Sequence, residues 1–306
     1  MTPLAPGLDY FDLRFGGHAG FIATGLLHGA SGVGLVDPGP TTCLPVLRAA
    51  LATRGFTTAD VRWILLTHIH LDHAAATGAL LRECPAARVL VHERGVKHLV
   101  DPSRLIASAT QLYGDDMDRL WGEIAPVPSA NIDAIGDYAE TVVAGHEVKV
   151  AWTPGHANHH VSYWLPGPRV AFVGDVAGLS RPGGQLVLPL TAPPETDLDA
   201  LRQSTETVLS WNPDVLFLAH FGPQWSPRVH FQQMWKRMDD WSNTVRAAIA
   251  AEGTDEDRSA RFASSIADEF ARVMPRAEAD AYALAARLDI SWAGLARYWR
   301  KKDGMR

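Results

Sequence analysis

Cysteine is nearly absent. The 306 residues contain two, Cys43 and Cys84, and no CxxC pair. Two thiols cannot make a disulfide framework, so the expected home is a reducing cytoplasm. An excess of positive charge is also missing: 28 Lys and Arg against 34 Asp and Glu leave a net charge of −6. Nucleic-acid partners require a basic surface that displaces counterions, so none is expected. No stretch approaches the ~20 consecutive apolar residues of a membrane span. The N-terminus carries Asp9 and Asp12 and lacks the basic start and apolar core of a signal peptide. Internal repeats are lacking too. The sequence therefore reads as a soluble protein with neither membrane nor nucleic acid as partner.

What is present is an ordinary globular balance, 47% hydrophobic and 20% charged, enough to bury a substantial core. Short apolar runs bounded by Gly, Pro or Asp predict strands over 20–27, 33–36, 63–66, 88–91, 147–152, 161–164, 169–173 and 215–218. Helices are predicted over 42–54, 74–83 and 198–211. Strands mixed with helices outside them imply sheets between helical layers. Residues 101–140 read as a mostly helical insertion containing Leu105, Ile106, Leu112, Tyr113, Met117, Leu120 and Trp121. From 226 to 306 the pattern is wholly helical. Phe231, Met234, Trp235, Met238, Trp241, Val245 and Ala248 form one apolar stripe, Phe262, Ile266, Phe270 and Val273 a second, and Leu295, Tyr298 and Trp299 a third. The expected division is a body over 1–225 and a helical extension over 226–306. The stripes are expected to pack on the body; a cap over the site or a homodimer surface are the alternatives.

The informative segment is 63–73, Trp-Ile-Leu-Leu-Thr-His-Ile-His-Leu-Asp-His. A buried strand runs into a loop bearing His68, His70, Asp72 and His73, and a helix follows. In an extended turn His68 and His70 point the same way and can reach one ion. Asp72 and His73, at the helix start, can reach a second. Imidazole and carboxylate suit borderline divalent metals. Four such groups buried without partners would cost a few kcal/mol each; a metal offsets that. Three later strands end in the same way, at His156, Asp175 and His220, with glycine before the first two, where backbone must come close.

Together these motifs resemble the metallo-β-lactamase fold superfamily, whose HxHxDH motif, later GH, GD and final His occur in that order at strand ends. Here they are THIHLDH (67–73), TPGH (153–156), VGD (173–175) and AHFG (219–222), with LVDPG (35–39) upstream, over roughly residues 15–222. The resemblance implies a four-layer αββα sandwich of the α/β (α+β) class with metals at one edge of the sheets. It implies one ion held by His68, His70 and His156, another by Asp72, His73 and His220, and Asp175 bridging both. Asp37 and Thr67 would orient these ligands. His160 resembles the second His of the GHxxGH pattern of glyoxalase-II-like members, although Asn158-His159 replaces the usual Pro-Gly. His18, His28, His92, His98, His146 and His230 fall outside any ligand pattern.

The implied chemistry is hydrolysis with two divalent ions, zinc first and manganese or iron as alternatives, and Asp72 as the proton carrier. Asp175 is absent from most true zinc β-lactamases. The Tyr that acyl-homoserine lactonases place three residues after the bridging Asp is Gly178 here. The substrate class that remains is small esters, thioesters, lactones or phosphoesters, and the competing class is a mononuclear-iron persulfide dioxygenase. Trp121, Leu186, Leu188, Leu190 and Phe221 are the expected apolar pocket lining, from their proximity to Asp175 and His220.

Overall fold

The computed structural model describes residues 1–184 and 186–304. Two sheets stack face to face. The first contains, in spatial order, β1 (Thr2–Ala5), β2 (Leu8–Asp12), β3 (Ala23–Gly29), β4 (Gly32–Val36), β5 (Val61–Leu65), β6 (Arg88–His92) and β7 (Ile132–Ile135). Its β1–β4 half is antiparallel and its β4–β7 half parallel. The second sheet runs β13-β12-β11-β10-β9-β8, with β8 (Tyr138–Val143), β9 (His146–Trp152), β10 (Val161–Leu165), β11 (Val170–Gly174), β12 (Val215–Leu218) and β13 (Gly222–Gln224). Only β11 and β12 are parallel in it.

The inner faces share one core. Leu27, Val36, Leu65 and Leu90 meet Val150, Tyr163, Phe172 and Phe217 there, all nearly solvent-free. Tyr163 also ties the two sheets together: its hydroxyl donates to the carbonyl of Leu66 at 2.8 Å.

Helices cover both outer faces. On the first sheet lie α1 (Leu44–Ala52), α2 (Leu71–Ala74), α3 (Thr77–Leu81) and α4 (Glu93–Val100), around Leu47, Leu51, Leu80 and Leu99. Then come α5 (Ser103–Tyr113) and α6 (Met117–Trp121). On the second sheet lie α7 (Leu198–Ser210), α8 (Pro227–Ile249), α9 (Asp255–Val273), α10 (Arg276–Ala286) and α11 (Leu288–Lys302). This is the expected four-layer sandwich with a helical C-terminal region.

Two expectations change. The stretch 101–140 is helical only to Trp121; its second half supplies β7, which closes the first sheet, and the start of β8. The polar, half-exposed alternation of β7 and β8 carries little apolar signal, which is why it reads as helix in the sequence. The helix expected over 74–83 is two short ones, because the N–H of Ala76 leaves the helical ladder to donate to the carbonyl of Gly39. As expected, the C-terminal stripes pack on the body, sharing a core with β10–β12: Trp164, Val173 and Leu216 pack with Phe231, Met238, Trp241, Phe270 and Trp292. Val273 is the exception, 64% exposed and outside its stripe. The aromatic stripe of α8 is buried inside its own chain, not displayed on a dimer surface. No helix among the described residues is long and apolar enough to cross a membrane.

Candidate metal centre

Each chemically active side chain follows a strand. β4 leads into Asp37, β5 into Thr67 and His68, β9 into Thr153 and His156, β11 into Asp175, and β12 into His220. The turn after β5 carries His70 and, in α2, Asp72 and His73. Main-chain bonds bring these strand ends together: Val161 N–H donates to Thr67, Gly39 N–H to His73, and Ser180 N–H to His220. Gly174 and Gly155 make the close approach possible. A Cβ on Gly174, whose φ is +46°, would stand 2.6 Å from His160 Nε2 and Thr67 Oγ1; one on Gly155 would strike the backbone of Leu201 on α7.

The result is a single cluster. His68 Nε2 and His156 Nε2 lie 3.0 and 2.9 Å from His70 Nδ1. Asp72 Oδ2 stands 3.3 Å from His220 Nε2 and 3.7 Å from His73 Nε2. Asp175 faces both groups. Its Oδ2 is 3.3 Å from His156 Nε2, and its Oδ1 is 3.3 Å from His73 Nε2 and 3.5 Å from His220 Nε2. All seven residues expected from the motifs therefore meet, in three overlapping sets, each of which could hold a cation.

Outward-facing bonds fix the imidazole tautomers. His73 Nδ1–H donates to Asp37 Oδ2 (3.0 Å), His156 Nδ1–H to the carbonyl of Leu190 (3.2 Å) and His220 Nδ1–H to that of Phe21 (2.8 Å). Asp37 also accepts from Thr67, at its N–H (2.8 Å) and its hydroxyl (2.7 Å), so Thr67 Oγ1 is left to accept from His68 Nδ1–H (3.1 Å). Each of these rings thus turns its Nε2 inward, the nitrogen through which it would meet a metal. Asp37 adopts φ +51°, a left-handed conformation that aspartate tolerates, and this turns its carboxylate under both His68 and His73.

The residues fit a metal. His73 Nε2 and Asp175 Oδ1 are buried without a hydrogen-bond partner, an arrangement that costs ~1–3 kcal/mol per group unless something else satisfies them. Burial and neighbouring imidazoles push His68 well down, and burial with His156 pushes His70 down to about 3, which keeps their lone pairs free. Burial would raise Asp72 and Asp175, but His73 and His220 overcome it and hold both below the usual carboxylate range. For His73 burial acts downward, yet Asp175, Asp72 and Asp37 drive it well up; the same carboxylates would favour a divalent ion in place of the proton.

His160 is a neighbour and not a member. Its Nε2 accepts the main-chain N–H of Asp175 at 3.2 Å and its Nδ1–H donates to Thr153 at 2.9 Å.

The cluster floors a cavity of about 620 Å³. Of the five residues expected to line it, Trp121 and Leu190 do. Leu186 and Leu188 instead pack into the core beneath α8–α11, and Leu188 is fully buried with its main chain paired to Leu179. Phe221 lies between the sheets, near Tyr10. Closeness along the chain to Asp175 and His220 misleads here, because the segment after β11 dips into the core at Leu186 and Leu188 before residues 190–195 return to the cavity wall. The helical part of 101–140 does supply a wall, through α5 and Trp121; the walls that the sequence does not reveal come from α4, from His159, and from the α10–α11 junction at Arg287 and Ile290. None of these carries a motif.

A family model described as the metallo-beta-lactamase superfamily matches residues 17–220. The chain belongs to the metallo-beta-lactamase superfamily. Members of this superfamily are generally hydrolases. The chain is 29% identical over 196 residues to the metallo-beta-lactamase fold-containing protein ST1585 of Sulfurisphaera tokodaii, covering 62% of this chain and 72% of that one. It is 31% identical over 173 residues to a hydroxyacylglutathione hydrolase of Synechococcus sp. (strain JA-3-3Ab), covering 56% of this chain and 55% of the relative, about half that enzyme's length. The metallo-beta-lactamase family protein TTHA1429 of Thermus thermophilus superposes with a TM-score of 0.71 at 22% identity, over 99% of this chain and 95% of that one, which shows a shared fold.

Proposed function

We propose that this superfamily member is a dinuclear metal-dependent hydrolase of small esters, thioesters, lactones or phosphoesters. The observation that carries the reading is the two-faced placement of Asp175, one oxygen toward His68 and His156 and the other toward His73 and His220. His68, His70 and His156 would hold one ion, Asp72, His73 and His220 the other, and Asp175 would serve both. Zinc suits the donor set best. When bound, such a pair supplies a nucleophilic water near neutral pH and an electrophilic pole for a carbonyl or phosphoryl oxygen.

The chain's own part is orientation and proton movement. Asp37, Thr67 and the carbonyls of Leu190 and Phe21 lock the imidazoles. Asp72 has a side chain 28% exposed to the cavity, against 5% for Asp175. It is therefore the carboxylate that a substrate and its water can reach, and its Oδ2 is placed to take a proton and pass it to the leaving group. The hydroxyacylglutathione hydrolase relatives support the thioester branch of the substrate class.

Metal analysis joined to a chromogenic panel of the four substrate types tests the reading. Two equivalents of zinc or manganese with hydrolysis are expected. One equivalent of iron with oxygen uptake would replace the hydrolase by a persulfide-dioxygenase-like oxidoreductase. Asp72→Ala should abolish nearly all turnover of the hydrolase.

A further inference from the structure

Resting on the hydrolase reading, we propose that the cavity takes a two-armed substrate, its anionic carboxylate or phosphate arm held by Arg94, Lys97 and Arg104 and its apolar arm lying on Tyr113 and Trp121.

The cationic end is built by two helices. Arg94 and Lys97 share one face of α4, and Arg104 stands in the first turn of α5; all three line the cavity. Among the described residues no carboxylate pairs with any of them, whereas Arg48, Arg82, Arg88 and Arg119 in the same half of the chain are all paired. Arg94 is nevertheless held in place, its guanidinium 4.3 Å above the Trp152 ring and 3.4 Å from the carbonyl of Asn158. That contact orients the charge without neutralising it. Two carboxylates share this part of the wall. Glu93 precedes Arg94, and Glu195 already accepts the N–H of Asn158 at 3.0 Å and stands 3.7 Å from His159 Nε2. Three unpaired cations facing one cavity repel each other, and an anion relieves that repulsion.

The other end is aromatic, and the cation there, Arg287, 5.2 Å over the Tyr113 ring, is already paired with Asp289 at 2.8 Å. Tyr113 closes α5, nine residues after Arg104 or about 13 Å along the helix. Its ring meets Trp121 edge-on at 5.0 Å, and Trp121 stacks on Phe15 at 5.4 Å. This cluster packs on Leu71, the residue before Asp72. The cationic end touches Asn158, two residues after His156. The metal cluster therefore lies between the ends, so a scissile group over the cluster would send one arm each way.

Binding and turnover test this separately. Tryptophan fluorescence would follow titration of the protein with octyl phosphate, octanoate and 1-octanol. One or both anions should bind about tenfold or more tighter than the alcohol, and the R94Q/K97Q/R104Q variant should lose that margin while K236Q, on an exposed part of α8, keeps it. The tighter of the two anions identifies phosphate or carboxylate. In turnover, the octanoyl thioester of 3-mercaptopropionate and the octyl thioester of succinate place the anion on opposite sides of the scissile bond. One of them should exceed the neutral octanoyl thioester of 2-mercaptoethanol about tenfold in kcat/KM through KM, and the triple variant should bring that ratio near one. Equal binding of anions and alcohol, or an anion margin that survives in the triple variant, overturns the proposal. If none of the four substrate types is cleaved but the margin in binding is present and lost in the variant, the hydrolase reading fails and the anion site stands.

Discussion

The main-chain N–H of Asp175 donates to Nε2 of His160 across 3.2 Å, so the one lone pair with which His160 could bind a metal is already engaged. His160 positions Asp175. His160→Ala is expected to keep two metal equivalents but to weaken their retention by about 10–100-fold, whereas His156→Ala should lose an equivalent. Metal content after dialysis against graded chelator distinguishes them; loss of a whole equivalent from His160→Ala would make it a ligand.

Asp37 underlies both halves of the cluster, accepting from His73 directly and steering His68 through Thr67. Asp37→Ala should therefore weaken retention of both ions, by about 10–100-fold each. Thr67→Val removes only the hydroxyl relay and should loosen the His68 side alone. Chelator competition followed by cobalt substitution spectra reads the two sites apart, and identical losses in both variants would break the relay argument.

Pocket and core exchange roles near the opening. Leu188→Ala should destabilise the fold by about 2–5 kcal/mol, as a fully buried leucine does, and leave relative substrate preference alone. Trp121→Ala should change KM values across a substrate panel. Urea denaturation beside the panel checks this; a preference switch in Leu188→Ala would restore it to the pocket wall.

One histidine away from the cluster gives the fold a pH dependence. His230 on α8 is buried, its Nε2–H donating to the carbonyl of Ala177 at 2.8 Å. Burial outweighs that bond and pushes it down to about 4. The unfolded chain takes up this proton near pH 6.5 and the folded chain does not until about 4. The stabilisation is therefore full above 6.5 and is lost as pH falls through that window, by about 3 kcal/mol in all. His230→Gln should show a shallower decline in urea stability between pH 7 and 5, by about 2 kcal/mol. Parallel declines would refute it.

Burial pushes the Cys43 thiol up to about 11 and the Cys84 thiol up to about 12. Neither should react with a disulfide reagent at pH 8 until the protein unfolds, when two equivalents appear. Prompt labelling of the native protein would contradict their burial.

The candidate metal cluster is legible in the sequence because metal-ligand chemistry demands particular residues: His68, His70, Asp72 and His73 within six positions, then single residues after apolar runs. The inner strands are legible for a related reason, since burial on both faces makes β10, β11 and β12 almost continuously apolar runs. Edge strands such as β1 and β8 alternate with exposed residues and leave no such trace. The cavity walls are the least legible. Leu188 and Trp121 are both large apolar residues in sequence, and only the path of the chain after β11 sends the first into the core. Arg94, Lys97 and Arg104 look like any solvated helix face until α4 and α5 are docked against the opening.

The meeting of α10 and α11 at Arg287 and Ile290 on the cavity rim has a consequence for how the molecule can be altered. The candidate metal ligands all precede residue 221, on strand ends and the start of α2, while part of the cavity wall belongs to the last two helices. Changes in the tail can thus retune which compounds enter and leave the reactive centre intact, provided the face turned toward β10–β12 stays apolar.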